Sequence, residues 1–372
     1  MKIGVPAEIK NHEYRVGLIP GAVRELSSLG HTVFIQRNAG SGAGFSDEDY
    51  IKAGASIVDT AEDVFEKGEL IIKVKEPQPQ ECALLKAHHT LFTFLHLAPD
   101  PEQANALLQS KATAISYDTV TDDQGGTPLL APMSAVAGRM SIQIGANLLE
   151  KGRGGPGILL SGVAGVAPGN IVILGGGVAG LNAARVAVGM GANVTILEKN
   201  TRRVYDLDQH FKGSANIIYA TTQSIYDYVT HAHLVIGSVF VVGAAAPRLV
   251  TRDMLSSMKK GSVLVDISID QGGCFETSRP TTHDHPIFVE EGVTHYCVTN
   301  MPGAVAQTSA VALNNATLPF VIELAQKGPK EAILSNRHLM NGLNVCNGHI
   351  THHVVAKGLG YDYTPGDKVL AA

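Results

Sequence analysis

Arg15, Lys75, His96 and Asp270 bring a planar cation, a point cation, an imidazole and a carboxylate to the sequence, each just beyond an apolar run. A guanidinium fork can grip a carboxylate through two parallel N–H donors. An ammonium can bind a keto oxygen or a carboxylate. An imidazole titrating near neutrality suits proton transfer at a carbonyl, and a carboxylate could orient water or an amine for addition to one. Each also has a plainer reading. Arg15 would be a solvated loop charge in Asn11-His12-Glu13-Tyr14-Arg15, and Lys75, on one face with Lys73, a lysine of an exposed sheet edge. His96 would be a hydrogen-bonded core histidine after Leu91-Phe92-Thr93-Phe94-Leu95, and Asp270 a turn cap before Gly272-Gly273.

A second constellation is tighter. Residues 170–174 read as a strand and are followed by Gly175-Gly176-Gly177-Val178-Ala179-Gly180, an Ala-rich helix pattern and a second strand ending in Glu198. In this G-x-G-x-x-G unit Gly175 permits the tight turn, Gly177 lets backbone approach a pyrophosphate and Gly180 lets helix pack on strand. The phosphates would sit at the positive helix end, and the acid would meet a ribose. The flanking strands and Glu198 make this a dinucleotide site rather than a chance run among 40 glycines.

The elements that must hold these residues alternate in type. Residues 3–5, 32–36, 56–58, 70–75, 90–95 and 113–117 read as strands, with amphipathic helices at 20–29, 47–53, 60–65, 79–85 and 100–109 between them. Such βαβ alternation predicts a doubly wound parallel sheet. A helix over 131–149 leads to a second series with strands at 170–174, 193–197, 216–219, 234–236, 262–266 and 295–298, six strands that fit a full dinucleotide fold. Residues 308–326 and 342–357 read as helices returning to the first domain. The expected organisation is therefore α/β with two doubly wound domains: a Rossmann-like substrate domain of residues 1–130 and 306–372, completed by C-terminal helices, and a six-stranded Rossmann NAD-binding domain of residues 131–305. Ligands of such sheets bind beyond the carboxyl ends of the strands, which also selects Ser238, Asp266 and Asn300.

Composition narrows the partners. The 372 residues are 45% hydrophobic and 17% charged, with a formal net charge of -5 and no Lys/Arg-rich run, so an electrostatic footprint for nucleic acid is missing. Cys82, Cys274, Cys297 and Cys346 are far apart with no C-x-x-C pair, and the N-terminus enters a strand with no signal-like apolar region; a reducing cytoplasm is expected. The stretch from Arg153 to Arg185 has no charge between its ends, but its Pro168-Gly169-Asn170 and many glycines argue for a turn-rich core rather than a membrane span. Gly40-Ser41-Gly42-Ala43-Gly44 imitates a phosphate loop, yet Asp47-Glu48-Asp49 would set acids against the phosphates. His349, His352 and His353 have helical spacing without a third-ligand motif, and no metal is expected.

The motifs together closely resemble bacterial alanine dehydrogenase, of the alanine dehydrogenase and transhydrogenase alpha-subunit family. The resemblance rests on residues 1–10, Glu13-Tyr14-Arg15-Val16, Val74-Lys75-Glu76-Pro77, Thr93-Phe94-Leu95-His96-Leu97, Pro132-Met133-Ser134, Leu174-Gly175-Gly176-Gly177, Ile269-Asp270-Gln271-Gly272-Gly273 and Asn300-Met301-Pro302-Gly303-Ala304-Val305. It implies NAD-dependent interconversion of L-alanine with pyruvate and ammonium in a homohexamer. Arg15 and Lys75 would hold the substrate, His96 would exchange its proton, and Asp270 would assist addition of ammonia or water. Ser134 would meet the cofactor phosphates, Glu198 the adenosine ribose, and Val239, Ile267, Val298 and Asn300 the nicotinamide end. Two positions depart from the family pattern: Glu198 stands where aspartate is usual, with Arg202 and Arg203 close enough to receive a 2'-phosphate, and Gln307 stands where many relatives carry arginine. An NAD-binding transhydrogenase subunit, a saccharopine-forming dehydrogenase and a catalytically silent NAD sensor are the alternatives.

Overall fold

A computed structural model describes residues 1–239 and 246–371. The chain forms two compact units, Met1–Met133 with Gly303–Ala372, and Ser134–Pro302. Among the described residues the first carries strands β1 (Lys2–Val5), β2 (Thr32–Gln36), β3 (Ser56–Val58), β4 (Leu70–Ile72), β5 (Thr90–Thr93) and β6 (Thr113–Ser116). The second carries β7 (Asn170–Leu174), β8 (Asn193–Glu198), β9 (Asn216–Tyr219), β10 (Leu234–Gly237), β11 (Val263–Asp266), β12 (Ile287–Glu290) and β13 (Val293–Tyr296), and β14 (Leu343–Cys346) and β15 (His349–Ile350) belong to the first again.

Both sheets are wound alike. The first has the order β15-β14-β6-β5-β4-β1-β2-β3 and the second β12-β13-β11-β10-β7-β8-β9. In each, six consecutive neighbours are parallel, in the Rossmann order that reverses beside the first strand. Both α/β units were expected. The sheets are larger than expected, with eight and seven strands, because antiparallel strands extend one edge of each.

The added strands have local causes. Residues 342–357 do not form one helix: β14 and β15 pair as a hairpin, and only His353–Leu359 is helical. The turn is Asn347-Gly348, with φ of 48° and 82°, the left-handed pair a two-residue hairpin demands. In the second unit β12 pairs antiparallel with β13 around Glu291 and Gly292, with φ of 50° and 74°. The expected strand at 295–298 is observed as Val293–Tyr296.

The central strands are covered on both faces, as parallel strands require. Ile171, Ile173, Val194, Ile196, Leu234, Ile236, Val263 and Val265 pack into one core. Their sequence neighbours Val172, Leu174, Leu197, Val235 and Leu264 pack into the other, the period of two that a strand imposes. In the first unit the helix Ala306–Lys327 is fastened to the segment after β1, because Asn314 Nδ2 donates to Gly17 O (3.1 Å) and its Oδ1 accepts from Ile19 N (3.2 Å). Gly17 in turn lies flat on the end of β4: a Cβ there would stand 2.5 Å from Ile72 O. That contact sets the Arg15 segment beside the strand that leads into Lys73 and Lys75. Among the described residues no helix is long and apolar enough to cross a membrane.

Candidate active site

In the first unit the chain leaves β1, β4 and β5 into loops bearing the predicted side chains. β4 ends at Ile72, short of the expected residue 75, and is an interior strand between β1 and β5, so the exposed-edge reading of the lysines that follow it fails. The Lys73 side chain is fully buried, with Nζ 3.1 Å from Glu8 Oε2 and 2.7 Å from Glu81 Oε1. Glu8 also accepts from Val74 N (2.7 Å) and Lys75 N (3.4 Å). It thereby takes up amides that β1, which ends at Val5, no longer pairs. Burial pushes the Glu8 carboxyl above its ordinary range, against the pull of Lys73.

Lys75 points its ammonium at Glu76 Oε2, 3.4 Å away, and Glu76 Oε1 is held by Lys10. Burial alone would raise the Glu76 carboxyl, but Lys75, Lys10 and His96 outweigh it and hold it at about 2. Arg15 is not a solvated loop charge. Its side chain is 3% exposed, and Glu13 receives Nε at 2.7 Å and Nη2 at 2.5 Å, a bidentate fork. Nη1 lies 3.0 Å from Met133 Sδ.

His96 is partly exposed and sits in the left-handed region with φ 47°. Such a conformation costs about 1–3 kcal/mol in a non-glycine residue and persists where neighbours enforce it. Here Asp118 enforces it: Oδ2 accepts from Leu95 N (3.0 Å), His96 N (2.9 Å) and Ser116 Oγ (2.7 Å). The other oxygen, Oδ1, lies 3.2 Å from His96 Nδ1 and is otherwise unsatisfied among the described residues. The imidazole also stacks on Phe94, with ring centroids 5.8 Å apart and planes 2° from parallel. A proton on Nδ1 satisfies Asp118 and leaves Nε2 as the acceptor.

In the second unit the glycines behave as their spacing predicts. Gly175 has φ 94°. A Cβ at Gly180 would stand 1.9 Å from Gly175 O, whereas one at Gly177 meets nothing within 4 Å; the first glycine of this pair serves packing and the second opens space above the helix Val178–Gly189. Glu198 Oε2 accepts from Gly176 N and Oε1 from Asn200 N, both at 2.8 Å, while Arg203 Nε donates to Gly176 O at 2.6 Å. Ser238 Oγ lies 2.9 Å from Leu174 O and Gly175 O, bracing the turn from below. Val239 is beside it: its Cγ2 would be 3.2 Å from a Gly175 Cβ. Asp266 is structural, receiving Ser268 N, Cys274 N and Ser278 Oγ, and burial raises its carboxyl. Asp270 is exposed on the short helical turn Ile267–Gln271, and Ile267 is half-buried. Asn300 has φ 62° and is half-buried, as is Ser134 near the start of Ala131–Leu148. Val298 is 1% exposed and belongs to the core beneath them.

The comparison with known families agrees with both halves. Residues 4–137 match the family described as alanine dehydrogenase/PNT, N-terminal domain, and residues 141–353 match its C-terminal domain. The chain belongs to the alanine dehydrogenase/PNT family. An alanine dehydrogenase of Halomonas elongata is 55% identical over 363 residues, 98% of each chain. A solved L-alanine dehydrogenase superposes with a TM-score of 0.94 at 48% identity, over 97% of this chain and 99% of its own. A transhydrogenase from Sinorhizobium meliloti shares the fold, with a TM-score of 0.81 at 23% identity over 95% and 99% of the two chains.

The sequence did not reveal the acids that set Lys73, Arg15, Lys75 and His96, which are Glu8, Glu13, Glu76 and Asp118. Asp118 carried a signal, since it follows a strand end as Lys75 and His96 do. The discounted features resolve as local structure. Gly40–Gly44 forms a short turn leading to Ser46, which caps the helix Asp47–Lys52 with Asp49 in a capping box. His349 lies on β15, while His353 opens a helix, so the helical spacing of the three histidines is not realised.

Proposed function

We propose that this protein is an NAD-dependent L-alanine dehydrogenase that reversibly converts L-alanine, NAD and water to pyruvate, ammonium and NADH with release of a proton. The observation that carries the reading, beyond family membership, is the prearranged set in the first unit: a guanidinium held in plane by Glu13, an ammonium facing Glu76, and an imidazole aimed by Asp118. Residues 1–130 and 306–372 act as the substrate domain and residues 131–305 as the NAD-binding domain.

Arg15 receives the substrate carboxylate and Lys75 the keto oxygen. His96 Nε2 accepts the proton lost as the carbonyl forms and returns it in amination, while Asp118 stabilises the imidazolium that results. Asp270 orients the water or ammonia that adds to the carbon. The residues of the second unit fit a dinucleotide: the space above Gly177 is the cradle a Cβ would fill, and the helix behind it favours an anion. NAD supplies the hydride acceptor. Gly175, Gly177 and Gly180 shape that cradle with Ser134 near the phosphates, Glu198 and Arg203 frame the adenosine ribose, and Val239, Ile267 and Asn300 lie toward the nicotinamide, backed by Val298. With Glu198 fixed by two amides, its charge stands where a 2'-phosphate would come, which favours NAD over NADP. The enzyme works in the cytoplasm in amino-acid catabolism and assembles as a homohexamer, as its resemblance implies; light scattering measures the assembly.

The test is NADH absorbance with pyruvate, with and without ammonium, repeated with NADPH. Decay that requires ammonium is the expected result. Decay without it would indicate a hydroxy-acid dehydrogenase. No decay despite NADH binding would leave a transhydrogenase-like subunit or a silent sensor.

A further inference from the structure

The cations around the substrate-binding loops are almost fully matched by acids. Lys73 lies between Glu8 and Glu81, and Arg15 is forked by Glu13. Glu76 is different because it is shared: Oε1 goes to Lys10 and Oε2 faces Lys75 at 3.4 Å. Oε2 is buried and makes no hydrogen bond among the described residues. Lys10 comes from the loop after β1 and Glu76 from the loop after β4, so the bridge joins loops 66 residues apart in sequence. Two positive charges against one negative leave a surplus of one. Without Lys10, the pair of Glu76 and Lys75 would be neutral.

We infer that Glu76 is a positioning residue that holds the Lys75 ammonium toward substrate, and that Lys10 anchors Glu76 and preserves the net positive charge an anionic substrate needs. The inference rests on the proposed dehydrogenase reading only for the identity of that anion. Glu76 pairs with Lys10 after β1 and Lys75 beside it and feels the charge of His96 after β5, with Glu8 on the backbone side of Lys75. The depressed Glu76 carboxyl is ionised across the working pH range, so the bridge is constant while His96 exchanges protons. A simple loop staple would need neither the surplus charge nor the nearby His96.

The experiment combines an activity-independent titration with kinetics, on the full chain. Lys75 reactivity toward acetic anhydride is read by mass spectrometry between about pH 8 and 11, in wild type, Glu76→Gln and Lys10→Met. Glu76→Gln should lower the Lys75 midpoint, since the facing carboxylate is removed. Lys10→Met should move it upward, since a neighbouring cation is removed. Both variants should nevertheless raise KM for pyruvate about fivefold or more, with NADH binding unchanged, and Lys10→Arg should restore both readouts. A Lys75 midpoint unmoved in both variants overturns the inference, as does a change confined to the thermal midpoint. If the midpoints move as stated while wild type shows no ammonium-dependent oxidation of NADH, the positioning bridge stands and the dehydrogenase reading falls.

Discussion

Gly177, which caps the helix Val178–Gly189, and Gly180, in its first turn, should fail in different ways. In Gly180→Ala the new methyl would stand 1.9 Å from the Gly175 carbonyl oxygen and 2.8 Å from Ser238 Oγ, against an ordinary contact of at least 3.4 Å. The shortfall is about 1.5 Å, and the obstructing atom is backbone, which cannot rotate away. Overpacking costs about 1–3 kcal/mol, more where backbone must move, and alanine returns about 1 kcal/mol of helix propensity. A net loss near 2 kcal/mol lowers the melting temperature of a unit this size by about 4–8 °C. In Gly177→Ala no protein atom lies within 4 Å of the methyl, and the backbone, at φ -65° and ψ -161°, is extended. Alanine ranks below glycine at this cap position by about 0.5–1 kcal/mol, so melting should fall by about 1–4 °C, less than in Gly180→Ala. The methyl fills the space assigned to the pyrophosphate, however, and NADH affinity should fall at least tenfold, about 1.4 kcal/mol. Scanning calorimetry and NADH fluorescence titration read the two effects. If Gly177→Ala binds NADH within about twofold of wild type, the loop does not carry the cofactor phosphates and the reasoning fails.

The remaining expectations concern the first unit and the core. Lys75→Ala and His96→Ala should each retain NADH binding and lose most turnover; near-wild-type rates in either would remove that residue's role. Asp118→Asn should lower kcat by about 10²-fold or more, because the amide can no longer stabilise an imidazolium; a pH–rate profile superposable on wild type would contradict it. The buried His295, held by Thr277 and the Val293 carbonyl, has its basicity lowered by burial, and His89, His233 and His352 are lowered in the same way. For a base whose folded pKa is depressed, the unfolded chain binds the extra protons, so stability is full above about 6.5 and falls as pH drops below it. Urea midpoints at pH 7.5 and 5.5 should differ accordingly, and equal midpoints would refute the assignment.

The groups that act on ligands were legible because their chemistry and their place agree: a strand end followed by Lys75 or His96, and a glycine turn between two strands, are written locally. Part of what orients them is written at long range. Glu8 meets Lys73, and Lys10 meets Glu76, across more than sixty residues, and nothing in the spacing of either loop announces the pairing. The same distinction explains the lysines after β4, where sequence showed two cations on one face but could not tell an edge from the middle of a sheet. Only the sheet order, with β1 and β5 on either side, shows that Lys73 must be paired or uncharged. The missed hairpin is a different failure. Asn347-Gly348 is a strong local turn signal, overlooked because the apolar residues around it also fit a helical period. Arg15 and Lys75 find their acids next to them in sequence, but those loops are tied to each other by Glu8–Lys73 and Lys10–Glu76, so the set is fixed before substrate arrives only once β1 and β4 lie side by side. Binding competence should therefore be lost together with the β1–β4 pairing and not before it.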